Sequence, residues 1–369
     1  MRMEAKVLSF EPPVAHNISM TLPTPSALKL KKSFGFGDRL GLATPGHLAA
    51  VEKTDFAPIF AQQSVREMER TARTPQEVLG AAQQALAKLG YAQPWGADAD
   101  HHKTPQDVEK SAAAGFTFFT IDPSAFVNNN ADRMLAAELE AEVLRLESDG
   151  IFARGWSSGY LGKRFEVAEN LTLEFTPQLL GRAAVKYARA IAHSAVMSAA
   201  IAKACVGRAF DIEVSVDETD SVTSPLDHLF CGLELRQRGV PVTSLAPRFV
   251  GEFEKGIDYR GDFRQFEKQL SEHVAVAKYC GPYKISVHSG SDKFSIYPIV
   301  GRVCGEIGRA SCRERVLWVT GVQTCALPIC PNTSPWRSSA GRTRSASTAA
   351  RTSFPSIPSS AGSVATCCM

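Results

Sequence analysis

The feature that most narrows the fold is a unit that repeats between residues 74 and 124. Thr74-Pro75-Gln76-Glu77 reads as a capping box with Pro at the first helical position, and Val78, Leu79, Ala82, Leu86 and Leu89 follow at helical spacing until Gly90 stops them. A short segment, Tyr91 to Trp95, leads into the polar run Gly96 to Lys103. The same signal then returns: Thr104-Pro105-Gln106-Asp107 opens a helix, Gly115 ends it, and Phe116 to Ile121 is a buried-type strand closing on Asp122-Pro123-Ser124. Helix, strand and polar loop in alternation imply parallel strands joined by crossover helices.

The pattern continues downstream. Ala131 to Leu146, Thr176 to Cys205 and Asp262 to Tyr279 carry apolar residues three and four apart and predict helices. Phe210 to Val216, Ser244 to Val250 and Tyr283 to Val287 predict strands, which run into Asp217-Glu218-Thr219-Asp220, Gly251-Glu252-Phe253-Glu254-Lys255 and His288-Ser289-Gly290-Ser291-Asp292. Each strand thus finishes in acids, a histidine or a lysine. Ligand chemistry in parallel α/β folds gathers at strand C-termini. The expected fold class is α/β, a (β/α)8 TIM-barrel-like domain over residues 1–306, lacking its last one or two units.

Composition bears on the remainder. The whole chain has 41 basic and 38 acidic residues, but seven of the former and one of the latter lie beyond residue 306, leaving 34 and 37 and a net charge of −3. Five of the nine cysteines, Cys312, Cys325, Cys330, Cys367 and Cys368, fall in the same tail. The apparent basicity and the cysteine content therefore say nothing of a nucleic-acid partner or a disulfide scaffold. From Pro331 onward the chain is rich in serine, has no Lys, Asp or Glu and shows no apolar period, so 307–369 is expected to be disordered. Ile307 to Leu317 and Val319 to Ile329 resemble translations of the two common short-read library adapters in tandem. The expectation is an assembly artefact followed by out-of-frame residues, with the true C-terminus missing. No stretch approaches the ~18 consecutive apolar residues of a membrane span, and the first thirty residues lack the plan of a signal peptide. A cytoplasmic protein with a small-molecule substrate and no membrane or nucleic-acid partner is expected.

Three constellations carry chemistry. Asp98-x-Asp100-His101-His102-Lys103, placed after a strand, offers imidazole and carboxylate ligands for a divalent cation such as Zn, Mn, Fe or Ni and a neighbouring base; a solvated polar loop is the alternative. His101 and His102 project in different directions, so one of them is expected to be a ligand. Asp217-Glu218-Thr219-Asp220 suits metal binding or a carboxyl of raised pKa, the alternative being a turn that caps the next helix with Ser224 and Asp227. His288, directly after a strand, should point into the barrel mouth and with His101 makes half a metal set. Ser33-Phe34-Gly35-Phe36-Gly37-Asp38-Arg39-Leu40-Gly41 has the wrong glycine spacing for a dinucleotide site. Its Arg39 suits a substrate carboxylate, or else an ion pair with Asp38.

Several long motifs together resemble the bacterial tagaturonate/fructuronate epimerase family of hexuronate catabolism. They are Ser33 to His47, Gly96 to His101, Phe119 to Ser124, Ser215 to Asp220 with Ser224 to Phe230, Ala246 to Val250 with Phe253 to Tyr259, and Ser286 to Phe294. The resemblance spans nearly all of residues 30–303 and implies a metal-dependent isomerase that interconverts D-tagaturonate and D-fructuronate. These differ at a carbinol carbon one bond beyond the position alpha to the ketone, so simple enolisation cannot invert it. Retro-aldol cleavage and re-addition is one route; transient oxidation by a nicotinamide is the other, and the poor glycine match argues against it. On this resemblance His101 and His288 are expected to hold the metal with a further histidine lost beyond the chain. Asp100 is expected as base, Glu218 as acid, Arg39 and Lys255 as carboxylate holders, and Asp122 as a reserve. A barrel isomerase or aldolase for another sugar acid, and an inactive truncated product, stay open as alternatives.

Overall fold

The computed structural model describes residues 21–313 apart from 255, 291, 306 and 307, and of 308–313 the backbone alone. The tail from 314 and the expectation for Lys255 lie outside the described residues. In chain order the elements are β1 (Ser33–Gly37), α1 (Thr44–Val51), β2 (Ala57–Ser64), α2 (Val65–Arg70), α3 (Pro75–Lys88), β3 (Gly96–His102), α4 (Pro105–Ala114) and β4 (Phe118–Ile121). There follow α5 (Ala136–Ser148), β5 (Arg164–Ala168), β6 (Leu171–Glu174), α6 (Pro177–Ala204), β7 (Asp211–Val216), α7 (Pro225–Gln237), β8 (Val242–Pro247), α8 (Phe263–Cys280), β9 (Lys284–Val287), α9 (Tyr297–Cys304) and β10 (Gly308–Arg313).

Eight of these strands form one parallel ring in the order β1-β10-β9-β8-β7-β4-β3-β2, while β5 and β6 make a separate antiparallel hairpin. Helix starts follow from local chemistry. Thr74 and Ser224 form reciprocal capping boxes with Glu77 and Asp227, and Thr104 caps α4, which Gly115 ends at a positive φ of 107°. Each such cap stabilises by about 1 kcal/mol.

The faces of the strands divide the interior in two. Phe34, Phe36, Phe119, Ile121, Ile212, Val214, Val216, Ile285 and Val287 point out of the ring into one large apolar core beneath the helices. Burying each large side chain there is worth about 2 kcal/mol. The alternate positions, Ser33, Asp98, Thr120, Glu213, Ser244, Lys284 and Ser286, are as fully buried but polar, and they fill the ring itself. A small second cluster of Leu28, Ile59 and Phe118 plugs its lower end, where the Asp211 carboxylate accepts from the Leu28 backbone N–H at 2.6 Å. Gly35 in β1 lies against the Gln62 side chain, whose Oε1 would be 2.4 Å from an added Cβ. Gly232 on α7 is similarly enclosed: an added Cβ would meet the Tyr283 hydroxyl at 2.7 Å and Cys280 Cβ at 2.8 Å. Gly232→Ala is therefore expected to destabilise the fold by about 1–3 kcal/mol in urea titrations despite alanine's better helix propensity.

Three elements differ from expectation. The strand before α4 is not Tyr91–Trp95 but the polar run itself, Gly96–His102. Its Ala97 and Ala99 face the outer core while Asp98 finds partners inside the ring, in Gln62 Nε2 at 3.2 Å and Thr120 Oγ1 at 3.1 Å. Second, Gly308–Arg313, expected in the disordered tail, pairs with β1 and β9 and takes the eighth place in the ring. Backbone pairing is largely indifferent to sequence, so the open edges of β1 and β9 accept it. The helix expected from Ala131 begins as a single 3-10 turn, Ala131–Arg133, with α5 starting at Ala136.

Candidate active site

Three strands bring the site together at their C-terminal ends. On β3, Asp100 is buried and its Oδ1 lies 2.7 Å from His101 Nδ1. His101 has a positive φ of 54°, and the pairing of β3 with β4 slips between Ala99 and His102. That bulge turns His101 toward the mouth, whereas His102 points outward to Ser111 Oγ of α4 at 2.7 Å.

On β7, Glu213, Ser215 and Asp217 succeed one another at the two-residue period and so share the inner face. His288, the first residue after β9, reaches them across the ring. Its Nε2 donates to Glu213 Oε1 at 2.7 Å and its Nδ1 lies 3.3 Å from Asp217 Oδ1, while Ser215 Oγ donates to the same aspartate. The rings of His101 and His288 are 5.2 Å apart between centroids. His101, Asp217 and His288 each present a ligand atom within 4.8 Å of the others, and His101, Asp122 and Glu218 form a second such set.

The electrostatics follow from this crowding. Burial alone would strip the proton from His288, but the Asp217 and Glu213 carboxylates on either side outweigh it and raise its pKa well above the ordinary value. Burial likewise pushes the Asp217 carboxyl up, and the charges of His288 and His101 with bonds from His288 and Ser215 overcome it, holding the pKa at about 2. The two carboxylates thus favour positive charge at this centre.

The expected residues are distributed unevenly around this centre. His101 and His288 meet in it. Glu218 stands exposed at the rim beside His101 and Asp122. Asp122 is buried, accepts from the Ser124 backbone N–H at 3.0 Å and pairs with Lys103 Nζ at 3.1 Å. Arg39 Nε and an Nη bind Glu67 Oε1 of α2 at 3.1 and 2.6 Å. Asp38 instead ties down the loop after β1, accepting from the backbone N–H groups of Gly41, Leu42 and Ala43 at 2.7, 3.0 and 2.8 Å. Two participants were not singled out by sequence. Glu213 was visible only as an acid at even spacing from Asp217, and Arg248, just past β8, lines a mouth cavity of about 180 Å³ with Asp217, Phe249, Phe253, His288 and Ser289.

A tagaturonate epimerase family profile matches residues 5–308. The chain belongs to the tagaturonate epimerase family. Within it, the chain is 48% identical over 279 residues to the tagaturonate/fructuronate epimerase of Thermotoga maritima, covering 75% of this chain and 56% of that protein. The native crystal structure of the fructuronate-tagaturonate epimerase UxaE from Cohnella laeviribosi superposes with a TM-score of 0.74 at 38% identity, over 80% of this chain and 59% of that one. Its complex with one glycerol gives the same TM-score over 79% and 58%. This member of the tagaturonate epimerase family thus spans a little over half the length of these relatives. Among its described residues no helix is long and apolar enough to cross a membrane.

Proposed function

We propose that the protein interconverts D-tagaturonate and D-fructuronate with a divalent cation held by His101, Asp217 and His288. The observation that carries this reading is the meeting of those three side chains at the mouth of the ring, with ligand atoms within 4.8 Å of one another. The substrate pair comes from the names borne by the relatives. Two imidazoles and a carboxylate suit Mn, Fe, Co, Ni or Zn better than Ca or Mg. Glu213 behind His288 adds the carboxylate that metal-ligating imidazoles commonly lean on. When bound, the cation supplies Lewis acidity toward the ketone oxygen of the sugar acid.

The residues of the chain do the rest. Glu218 takes the proton from the hydroxyl of the carbon that inverts. That C–O becomes a carbonyl as the bond to the alpha carbon breaks, and the bonding pair passes to the ketone side as an enediolate. The aldehyde presents its other face, the bond re-forms, and Glu218 returns the proton. Asp100 Oδ1 accepts from His101 Nδ1 and so orients the imidazole at the mouth. Asp122, beside Glu218 in the second carboxylate and imidazole set, is the reserve for either task. We also propose that the native ring is a (β/α)8 barrel completed by a strand other than Gly308–Arg313. The adapter-like strings over 307–329 support this.

Incubating the purified chain with D-tagaturonate and Mn²⁺ or Zn²⁺ is expected to yield D-fructuronate, and a chelator to stop it. Glu218→Gln is expected to lower kcat by ~100-fold or more, and Asp100→Asn to lower activity and metal content together. Full activity in both variants would remove those roles, and an undiminished rate in chelator would remove the cation. Accumulation of three-carbon fragments in place of the epimer would favour an aldolase.

A further inference from the structure

We infer that Arg248 is the carboxylate-binding residue of the site and that it sets the direction in which the sugar acid lies across the mouth. The inference rests on the sugar-acid reading above and deepens it. Arg248 follows the last residue of β8, Pro247, and so stands at the C-terminal rim of the ring, in the wall of the cavity that also touches Asp217 and His288.

Arg248 is held by its side chain and by its backbone. The guanidinium donates to the Thr219 carbonyl in the loop after β7. At the other end the Arg248 backbone N–H donates to Thr223 Oγ1 at 3.0 Å, and the Thr223 N–H donates back to the Arg248 carbonyl at 3.0 Å. One of five N–H donors is thereby used, on a neutral group, which orients the guanidinium and leaves its charge uncompensated by that bond.

Among the described residues, the other cations near the mouth have partners. Arg39 is bound by Glu67, Lys103 by Asp122 and Lys186 by Asp132, at 2.6, 3.1 and 3.0 Å. Lys293 donates to the carbonyls of Glu254 and Ile257 at 2.7 and 2.5 Å. Arg248 has no carboxylate within ion-pair distance among the described residues. The floor of the site, by contrast, holds Asp100, Glu213 and Asp217. An anionic substrate is repelled from that floor at its charged end and attracted at Arg248. The carboxylate therefore lies toward β8 and the ketone end toward His101 and His288. In a cleavage and re-addition route the carboxylate belongs to the aldehyde fragment, so Arg248 also retains the piece that must turn over.

The test compares D-tagaturonate with D-tagatose, its neutral counterpart in which a hydroxymethyl replaces the carboxylate, by calorimetric titration of the full chain. The unaltered chain is expected to prefer the acid by ~30-fold or more, the strength of a bidentate charge-assisted contact. Arg248→Gln is expected to abolish that preference while changing D-tagatose binding less than about 3-fold, and Arg248→Lys, which keeps the charge but loses the fork, to restore part of it. Arg248 is an exposed rim residue, and unchanged circular dichroism in both variants checks the fold. A preference that survives Arg248→Gln would overturn the assignment and leave the sugar-acid function standing. No binding of D-tagaturonate by the unaltered chain would overturn both.

Discussion

Removing the His288 imidazole is expected to abolish both epimerisation and metal uptake, and altering Glu213 behind it to cost ~10- to 100-fold in metal affinity although Glu213 lies deeper in the ring. Glu213 is fully buried and its Oε1 accepts from His288 Nε2 at 2.7 Å. This bond decides which ring nitrogen is left to face Asp217 and His101. Glu213→Gln keeps an acceptor at the same place but removes the charge that raises the basicity of the imidazole, so affinity falls while the ring stays oriented. Glu213→Leu removes the acceptor as well and leaves a buried N–H without a partner, a cost of about 1–3 kcal/mol, so it should bind metal more weakly than the Gln variant and fold less stably. Competition against a chromophoric chelator measures the affinities directly. Equal affinity in the unaltered, Gln and Leu proteins would show that something other than Glu213 orients His288.

The two halves of this centre were not equally legible in sequence. His101 and His288 could be brought together on paper because parallel strands deliver their C-terminal residues to one place, and neither assignment needs knowledge of side-chain packing. Glu213 needs such knowledge. It sits inside a strand whose Ile212, Val214 and Val216 advertise an ordinary apolar face, and only the polar interior of this ring makes its other face part of the site. The same interior hid β3: Gly96-Ala97-Asp98-Ala99-Asp100 alternates small apolar and acidic residues at the strand period, yet lacks the apolar run by which buried strands are usually found. The partner of Arg39 was beyond reach for another reason, since Glu67 lies 28 residues away on a helix that local pattern does not place against it. What is written locally is legible: the helix starts at Thr74 and Thr104 and the bounds of α6 depend on contacts within a few residues.

The stability of the protein is expected to fall steeply below pH 6.5, for a reason seated away from the mouth. Tyr283 Oη lies 2.8 Å from His228 Nε2, and His228 Nδ1 and His273 Nδ1 are 2.9 Å apart, all three side chains buried between α7, α8 and β9. The short contact between the two Nδ1 atoms needs one donor and one acceptor, so it suits two neutral imidazoles. A proton added to the accepting nitrogen would set two N–H groups against each other in an apolar surrounding. Burial accordingly lowers His273 to about 3, and burial, then the neighbouring His273, lowers His228 well below its ordinary value. Between pH 6.5 and that lower limit the unfolded imidazole takes up a proton that the folded one refuses, so the unfolded state binds more protons and stability drops with pH. For His273 alone the loss reaches about 2 kcal/mol by pH 5. His288 does not offset it: its raised pKa gives stability that is fully present below 6.5 and is lost only as pH climbs through the folded value. Asp217, lowered to about 2, begins to lose its contribution only as pH approaches the ordinary aspartate range below this window. Urea unfolding at pH 7.5 and 5.0 should therefore differ by at least about 2 kcal/mol, and His273→Phe should remove about that much of the difference. An unchanged pH dependence in the variant would mean that the folded pair accepts the proton.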